Sequence, residues 1–277
     1  MKLQINQLFD QIHNIPQVPE VVRTLISQLN DPNTKFDDIA KNVEKEQVIS
    51  LKVLRLVNSA HFGLSKKIGS IDDAVVMLGM SKLKTLVIAS GIVGSVPEIP
   101  NFNIKDFWAD SFLTATYAKW LADEIKLDNS DMVFTAGLIS GLGTILIYLG
   151  DAKAASEIEQ DSKAGGNRSN HERERLGFTS QEVCAELCRR WHFSEELIDT
   201  IAKSGEPLSN EEISLAANAV FVARYICESR RLEISEEDKL AAFPSKEWQQ
   251  LGLKEQDIAT KLTEILALES GLDGLVD

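Results

Sequence analysis

Residues 132–150, MVFTAGLISGLGTILIYLG, run for 19 positions without a charged side chain. A helix of that length and apolarity nominally spans a bilayer. This run, however, holds four glycines and two threonines, lacks flanking basic residues, and is bounded by Asp131 and Asp151. Membrane helices favour basic and aromatic flanks. The expectation is therefore a helix buried inside protein and broken near Gly141 and Gly143, not a span. Such a segment can be buried only if the rest of the chain supplies apolar faces to surround it.

Those faces read as helices. Val21, Val22, Leu25, Ile26 and Leu29 recur at helical spacing after Pro16 and Pro19, and Phe36, Ile39, Ala40 and Val43 repeat the pattern. Residues 48–57 are apolar almost all round, which predicts a helix buried on most sides. Ser70 stands three residues before Asp73 as an N-cap, with Gly79 as the stop, and Ser81 is placed to cap KLKTLVIASGIV. A helix is expected over about 104–125 after Asn103, and another after Ser130. Thr179 and Glu182 form a capping box. Ser194, Asn210, Ser235 and Ser245 each precede a further helical pattern, and the last helix is expected over about 254–269. Residues 162–170, SKAGGNRSN, read as an internal loop. No window alternates apolar and polar residues, and no Asn-Gly or Asp-Gly hairpin signal occurs. The fold class is all-α. Pro97 and Pro100 bracket a break that divides the chain into lobes at 1–98 and 99–277.

Charge follows that division. Residues 1–98 carry 11 basic and 10 acidic side chains, a net of +1, and residues 99–277 carry 18 and 32, a net of -14. The total of -13 disfavours non-specific binding to nucleic acid or anionic membrane. Three cysteines are too few for a disulfide framework, and MKLQINQLFDQIHN lacks the apolar core of a signal peptide. These features lead to the expectation of a reducing, cytoplasmic setting.

The densest motif is Val53-Leu-Arg-Leu-Val-Asn-Ser-Ala-His-Phe-Gly63, followed by Ile68-Gly-Ser-Ile-Asp-Asp-Ala-Val-Val-Met-Leu-Gly79 and preceded by Ile15-Pro-Gln-Val-Pro-Glu20. With Phe107-Trp108, Ala136-Gly-Leu138, Leu176-Gly-Phe178 and Arg190-Trp191 in order, the chain resembles the HDOD family, the HD-related output domains of bacterial signalling proteins. The resemblance covers roughly residues 15–225. It implies two helical lobes, the second similar to the scaffold of HD-type metal-dependent phosphohydrolases. Those enzymes hold metal through a His, a His-Asp pair and a distant Asp. Neutral imidazoles and carboxylates supply the lone pairs, and the metal lowers the pKa of a bound water.

The chain departs from that pattern. Asp110 stands where relatives often carry His. The His-Asp pair is replaced by Ser140 and Gly141, another His by Ser180, and a His-His pair by Ser204 and Gly205. Glycine offers no ligand and serine a poor one. The reading is a non-catalytic signal-transduction module with its metal centre lost, without cofactor or metal, acting by contact with a protein partner. The alternative is a divergent phosphohydrolase in which Asp110 and Glu206 converge with a third ligand. A nucleotide sensor without turnover is a further possibility.

Arg55, Asn58, Ser59, His61 and Phe62 are the candidates for a partner or small-ligand site at the junction of the lobes. The competing account is local: Asn58 and Ser59 can bond backbone where a buried helix ends, and His61 can pack. Lys66, Lys67, Lys82 and Lys84 form a modest basic cluster, read as a solvated face. Cys184, Cys188 and His192, at i, i+4 and i+8, cannot close around one ion from a single helix and read as a core stripe with Leu187 and Trp191. Sensor domains often fused to such modules would have to act in trans. Residues after about 230 are either a cover for the second lobe or an interaction arm.

Overall fold

The computed structural model describes residues 4–27, 36–58, 67–97, 99, 102–164, 168–209, 212–230 and 235–275. Among these, every regular element is helical. The chain forms two compact units. One comprises Pro16–Pro97 with Glu269–Asp277, and the other Met1–Ile15 with Glu98–Leu268.

The smaller unit holds α2 (Glu20–Ser27), α3 (Phe36–Lys45), α4 (Gln47–Val57), α5 (Ile71–Leu78) and α6 (Met80–Val93). Its centre is α6, where Leu83, Leu86, Val87, Ile88, Ala89 and Ile92 are all buried. The crossing of α2 and α6 is close: a Cβ on Gly91 would collide with Val22. Burial on most sides, expected of residues 48–57, belongs to α6 instead. In α4 only Ile49, Val53, Leu56 and Val57 are buried, while Val48 and Leu51 face solvent. Composition alone cannot tell a central helix from one whose outer face is apolar.

Local caps agree with expectation in most places. Ser70 Oγ accepts from Asp73 N at the start of α5. The helix after Gly79 starts at Met80 rather than being capped by Ser81, and Gly79 itself, at φ 80, is the junction. A positive φ there favours glycine.

The larger unit is built on α7 (Ile104–Glu124), α8 (Ser130–Ile139), α9 (Leu142–Gly150) and α14 (Leu215–Ser229), with α1 (Ile5–Gln11) laid on α9. α7 and α8 approach so closely that a Cβ on Gly137 would lie 2.9 Å from the Ala115 Cα. Phe9 of α1 lies beneath the Arg190 guanidinium, 4.1 Å from its ring centre. The uncharged run forms α8 and α9, joined at Ser140 and Gly141. Its length and composition would suffice to cross a membrane, yet 78% of its most apolar 18-residue window is buried within the fold.

Around this core lie α10 (Ala152–Ala164), α11 (Arg168–Arg175), α12 (Ser180–Arg190) and α13 (Glu195–Lys203). Residues 162–164 and 168–170, expected in a loop, are thus helical. Cys184, Leu187, Cys188 and Trp191 are buried as a stripe, with His192 exposed. The C-terminal helices are α15 (Glu236–Ala241), α16 (Ser245–Gln250), whose cap is Pro244, and α17 (Ile258–Leu266). Of the two roles expected for these residues, they take that of a cover for this unit. Trp248 is fully buried and donates from Nε1 to Lys254 O, and Tyr225 Oη of α14 donates to Lys239 O. Lys261 of α17 pairs with Glu124 of α7.

Candidate functional site

The start of α12 anchors a buried polar cluster at one of the positions compared with metal ligands. The first four backbone donors of a helix lack partners within it, and three of them here find side-chain acceptors. Thr179 Oγ1 accepts from Glu182 N and the Glu182 carboxylate accepts from Thr179 N, which completes the capping box. The third acceptor comes from α11: Glu172 Oε2 accepts from Ser180 N at 2.7 Å and from Ser180 Oγ at 3.0 Å. Glu172 is fully buried, and its other oxygen accepts from Arg168 Nε at 2.9 Å. Arg168 also donates to Glu159 at 2.8 Å. Burial alone would lower the Arg168 pKa, but Glu172 and Glu159 outweigh it and hold the guanidinium above its ordinary value. A buried carboxylate is tolerable only when paired and hydrogen-bonded, and this one is both.

Gln181 extends the cluster. With its amide oriented to satisfy both ends, its oxygen accepts from the Arg224 guanidinium. Gly205 abuts the same side chain: a Cβ there would stand 2.8 Å from one end of the Gln181 amide. Ser169 Oγ donates to Gly205 O at 3.4 Å. α9 reaches the cluster at Gly143, where a Cβ would overlap the Ser180 carbonyl. Ser180 and Gly205 are therefore brought together, with Gln181 between them.

The other positions are closed off locally. Ser140 Oγ donates to Gly137 O and Ser204 Oγ to Ile201 O, and both side chains are buried. Gly141 lies under the Phe107 ring, where an added Cβ would meet Cε2 at 3.0 Å. Asp110 is half-buried on α7. Cys227 Sγ donates toward its backbone oxygen at 3.5 Å and its Oδ1 at 3.7 Å. Burial, with Asp110 second, pushes the Cys227 thiol up to about 12. Glu206 accepts from Arg173 Nη2 at 2.8 Å, and Arg173 also bonds Glu182. The bond to Glu206 does most to raise Arg173 above its ordinary value.

Among the described residues no group of three or more His, Cys, Asp or Glu side chains stands so as to hold a metal ion. Asp110 and Glu206 thus belong to no such set. The residues present at the compared positions do not fit a divalent cation. Glycine has no side-chain ligand, a neutral serine hydroxyl is a poor one, and the Arg168 guanidinium beside the buried Glu172 carboxylate repels a cation.

In the smaller unit, Asn58 ends α4 and clamps the peptide at residue 68: Nδ2 donates to Ile68 O and Ile68 N donates to Oδ1, each at 2.8 Å. Nδ2 also donates to Leu54 O. Asn58 thus takes the local role weighed for it. Arg55 is exposed in the last turn of α4. Ser59, His61 and Phe62 lie outside the described residues, as does Asn210.

A helical fold with this order of motifs defines the class. An HDOD domain model matches residues 15–207, and the chain belongs to the HDOD domain family. An uncharacterized protein of Treponema pallidum (strain Nichols) is 26% identical over 199 residues, and the alignment spans 69% of this chain but only 38% of that protein. An HDOD domain protein of unknown function from Geobacter sulfurreducens matches with a TM-score of 0.80 at 24% identity, over 99% of this chain and 96% of its own. A Shewanella amazonensis SB2B protein, named as a proposed phosphohydrolase, matches with a TM-score of 0.78 at 29% identity, over 98% of both chains.

Proposed function

We propose that this chain is a non-catalytic HDOD regulatory module that signals through contact with another protein in the cytoplasm, its hydrolase centre replaced by a structural lock. The observation that carries this reading is Ser180. It occupies a position where HD-type relatives often carry a ligand His, and it is inaccessible to solvent. Its N and Oγ both donate to a carboxylate already neutralised by Arg168. The Glu172 carboxylate oxygens are occupied in joining α11 to α12. The half-buried Arg168 guanidinium in the same cluster opposes a cation electrostatically. The alternative hydrolase would draw on Asp110 and Glu206, and Glu206 is instead held by Arg173.

Elemental analysis tests this directly. The chain is purified without chelator or nickel resin from cells supplied with manganese and iron. The expected result is metal far below one equivalent and no hydrolysis of bis-p-nitrophenyl phosphate above buffer. Near-stoichiometric metal that disappears in Asp110→Ala, together with phosphodiester turnover, would overturn the proposal.

A further inference from the structure

Eight large hydrophobic side chains are exposed among the described residues, and half of them lie on two neighbouring helices, α4 and α5. Isolated exposed apolar residues need no explanation. These four do, because of the charges arranged beside them. Residues four apart share one face of a helix. On α4, Val48 (69% exposed) stands one turn before Lys52, and Leu51 (68% exposed) one turn before Arg55. On α5 the order is reversed and the sign opposite. Asp72 stands one turn before Val76 (81% exposed) and Asp73 one turn before Met77. Helix α4 contains no carboxylate and α5 no base. None of these four charged residues is engaged in an ion pair among the described residues.

Laid antiparallel, the two faces match: the apolar start of α4 meets the apolar end of α5, and the basic end of α4 meets the acidic start of α5. Within one chain the helices cannot do this, because both outer faces point to solvent. Between two copies related by a two-fold axis, α4 of each can pack on α5 of the other, so the same pairing forms twice. We propose that a second copy of this chain docks on this face, with α4 and α5 exchanged between copies as antiparallel pairs. The centre of such a contact is apolar and its rim charged, the usual anatomy of an interface. Four short helices make a small contact, so the dimer belongs to the transient class. The proposal does not depend on the absence of catalysis, since metal content and mass are separate readouts.

Light scattering after size exclusion tests it by charge exchange. Variant one is Lys52→Glu with Arg55→Glu, variant two is Asp72→Lys with Asp73→Lys, and circular dichroism checks that each retains its helices. At about 100 µM, above the ~µM dissociation constants of weak complexes, the unmodified chain should give about twice its 30.7 kDa. On dilution it should return to the single-chain mass. Each variant alone should stay at the single-chain mass, because like charges oppose at both helix pairs. A one-to-one mixture should recover the doubled mass, because both pairs are then of opposite sign. Val76→Arg, at an open position, should also remain single. A wild-type chain that stays single at ~100 µM, or folded variants that fail to pair on mixing, would overturn the proposal. So would a doubled mass in either variant alone. A metal-free monomer would sink this pairing and leave the regulatory reading intact; a metal-loaded dimer would do the reverse.

Discussion

Replacing Glu172 with alanine should destabilise the larger unit more than any surface substitution. The carboxylate is completely buried and makes three hydrogen bonds, to Arg168 Nε, Ser180 N and Ser180 Oγ. Removing one member of a buried pair typically costs about 3–5 kcal/mol. The lower end applies, because Arg168 is 20% exposed and retains Glu159 at 2.8 Å. Part of the cost is the orphaned Ser180 N–H at the start of α12, worth about 1 kcal/mol. For a unit of this size a loss of ~3 kcal/mol lowers Tm by about 6–12 °C. Glu172→Gln keeps an acceptor for Ser180 and loses only the charge, so its loss should be about half as large. Thermal melts followed by circular dichroism, with urea titrations alongside, read both. In the Arg168→Ala/Glu172→Ala double variant the two losses should fall short of additivity by ~1 kcal/mol or more, since both partners belong to one network. A Glu172→Ala protein melting within ~2 °C of the parent, less than the shift ~1 kcal/mol would produce, would refute the reasoning.

Three further outcomes follow from described geometry. Asn58→Ala removes both bonds to the residue 68 peptide and should lower the stability of the smaller unit by about 1–2 kcal/mol in urea titration; no change would mean that water replaces the amide without cost. Cys184, Cys188 and Cys227 are all buried, so none should react with a thiol reagent at pH 8 until urea is added. Burial raises Cys227 from 9.0 to about 12. The folded state therefore favours the neutral thiol, and this contribution is complete below pH 9 and lost as pH rises toward 12. Cys227→Ala should flatten that alkaline decline, and an unchanged slope would assign it to other groups.

Much of the fold could be read from local chemistry. Ser70 before Asp73, Asn103 before Asp106, Thr179 with Glu182, and Ser194 each announce a helix start through a side chain reaching backbone three residues on, and each is found there. The uncharged run was expected to break near Gly141, and the helices part at Ser140 and Gly141. Longer-range features were less legible. Nothing local in Ile5–Gln11 says that this helix rests on α9, with Leu8 beside Gly150. The Glu172 lock was missed because Arg168 and Glu172, at i and i+4 in a strongly polar helix, look like an ordinary surface pair. Only tertiary packing turns that pair inward to meet Ser180. The reverse error occurred at α4, where an apolar composition suggested burial that the fold gives to α6.

The amide of Asn58 closes a ring through the peptide of residue 68. That ring ties the last turn of α4 to a residue just before the start of α5. The mutual placement of the two helices therefore leans on one side chain, and its replacement should loosen both helices together rather than either alone.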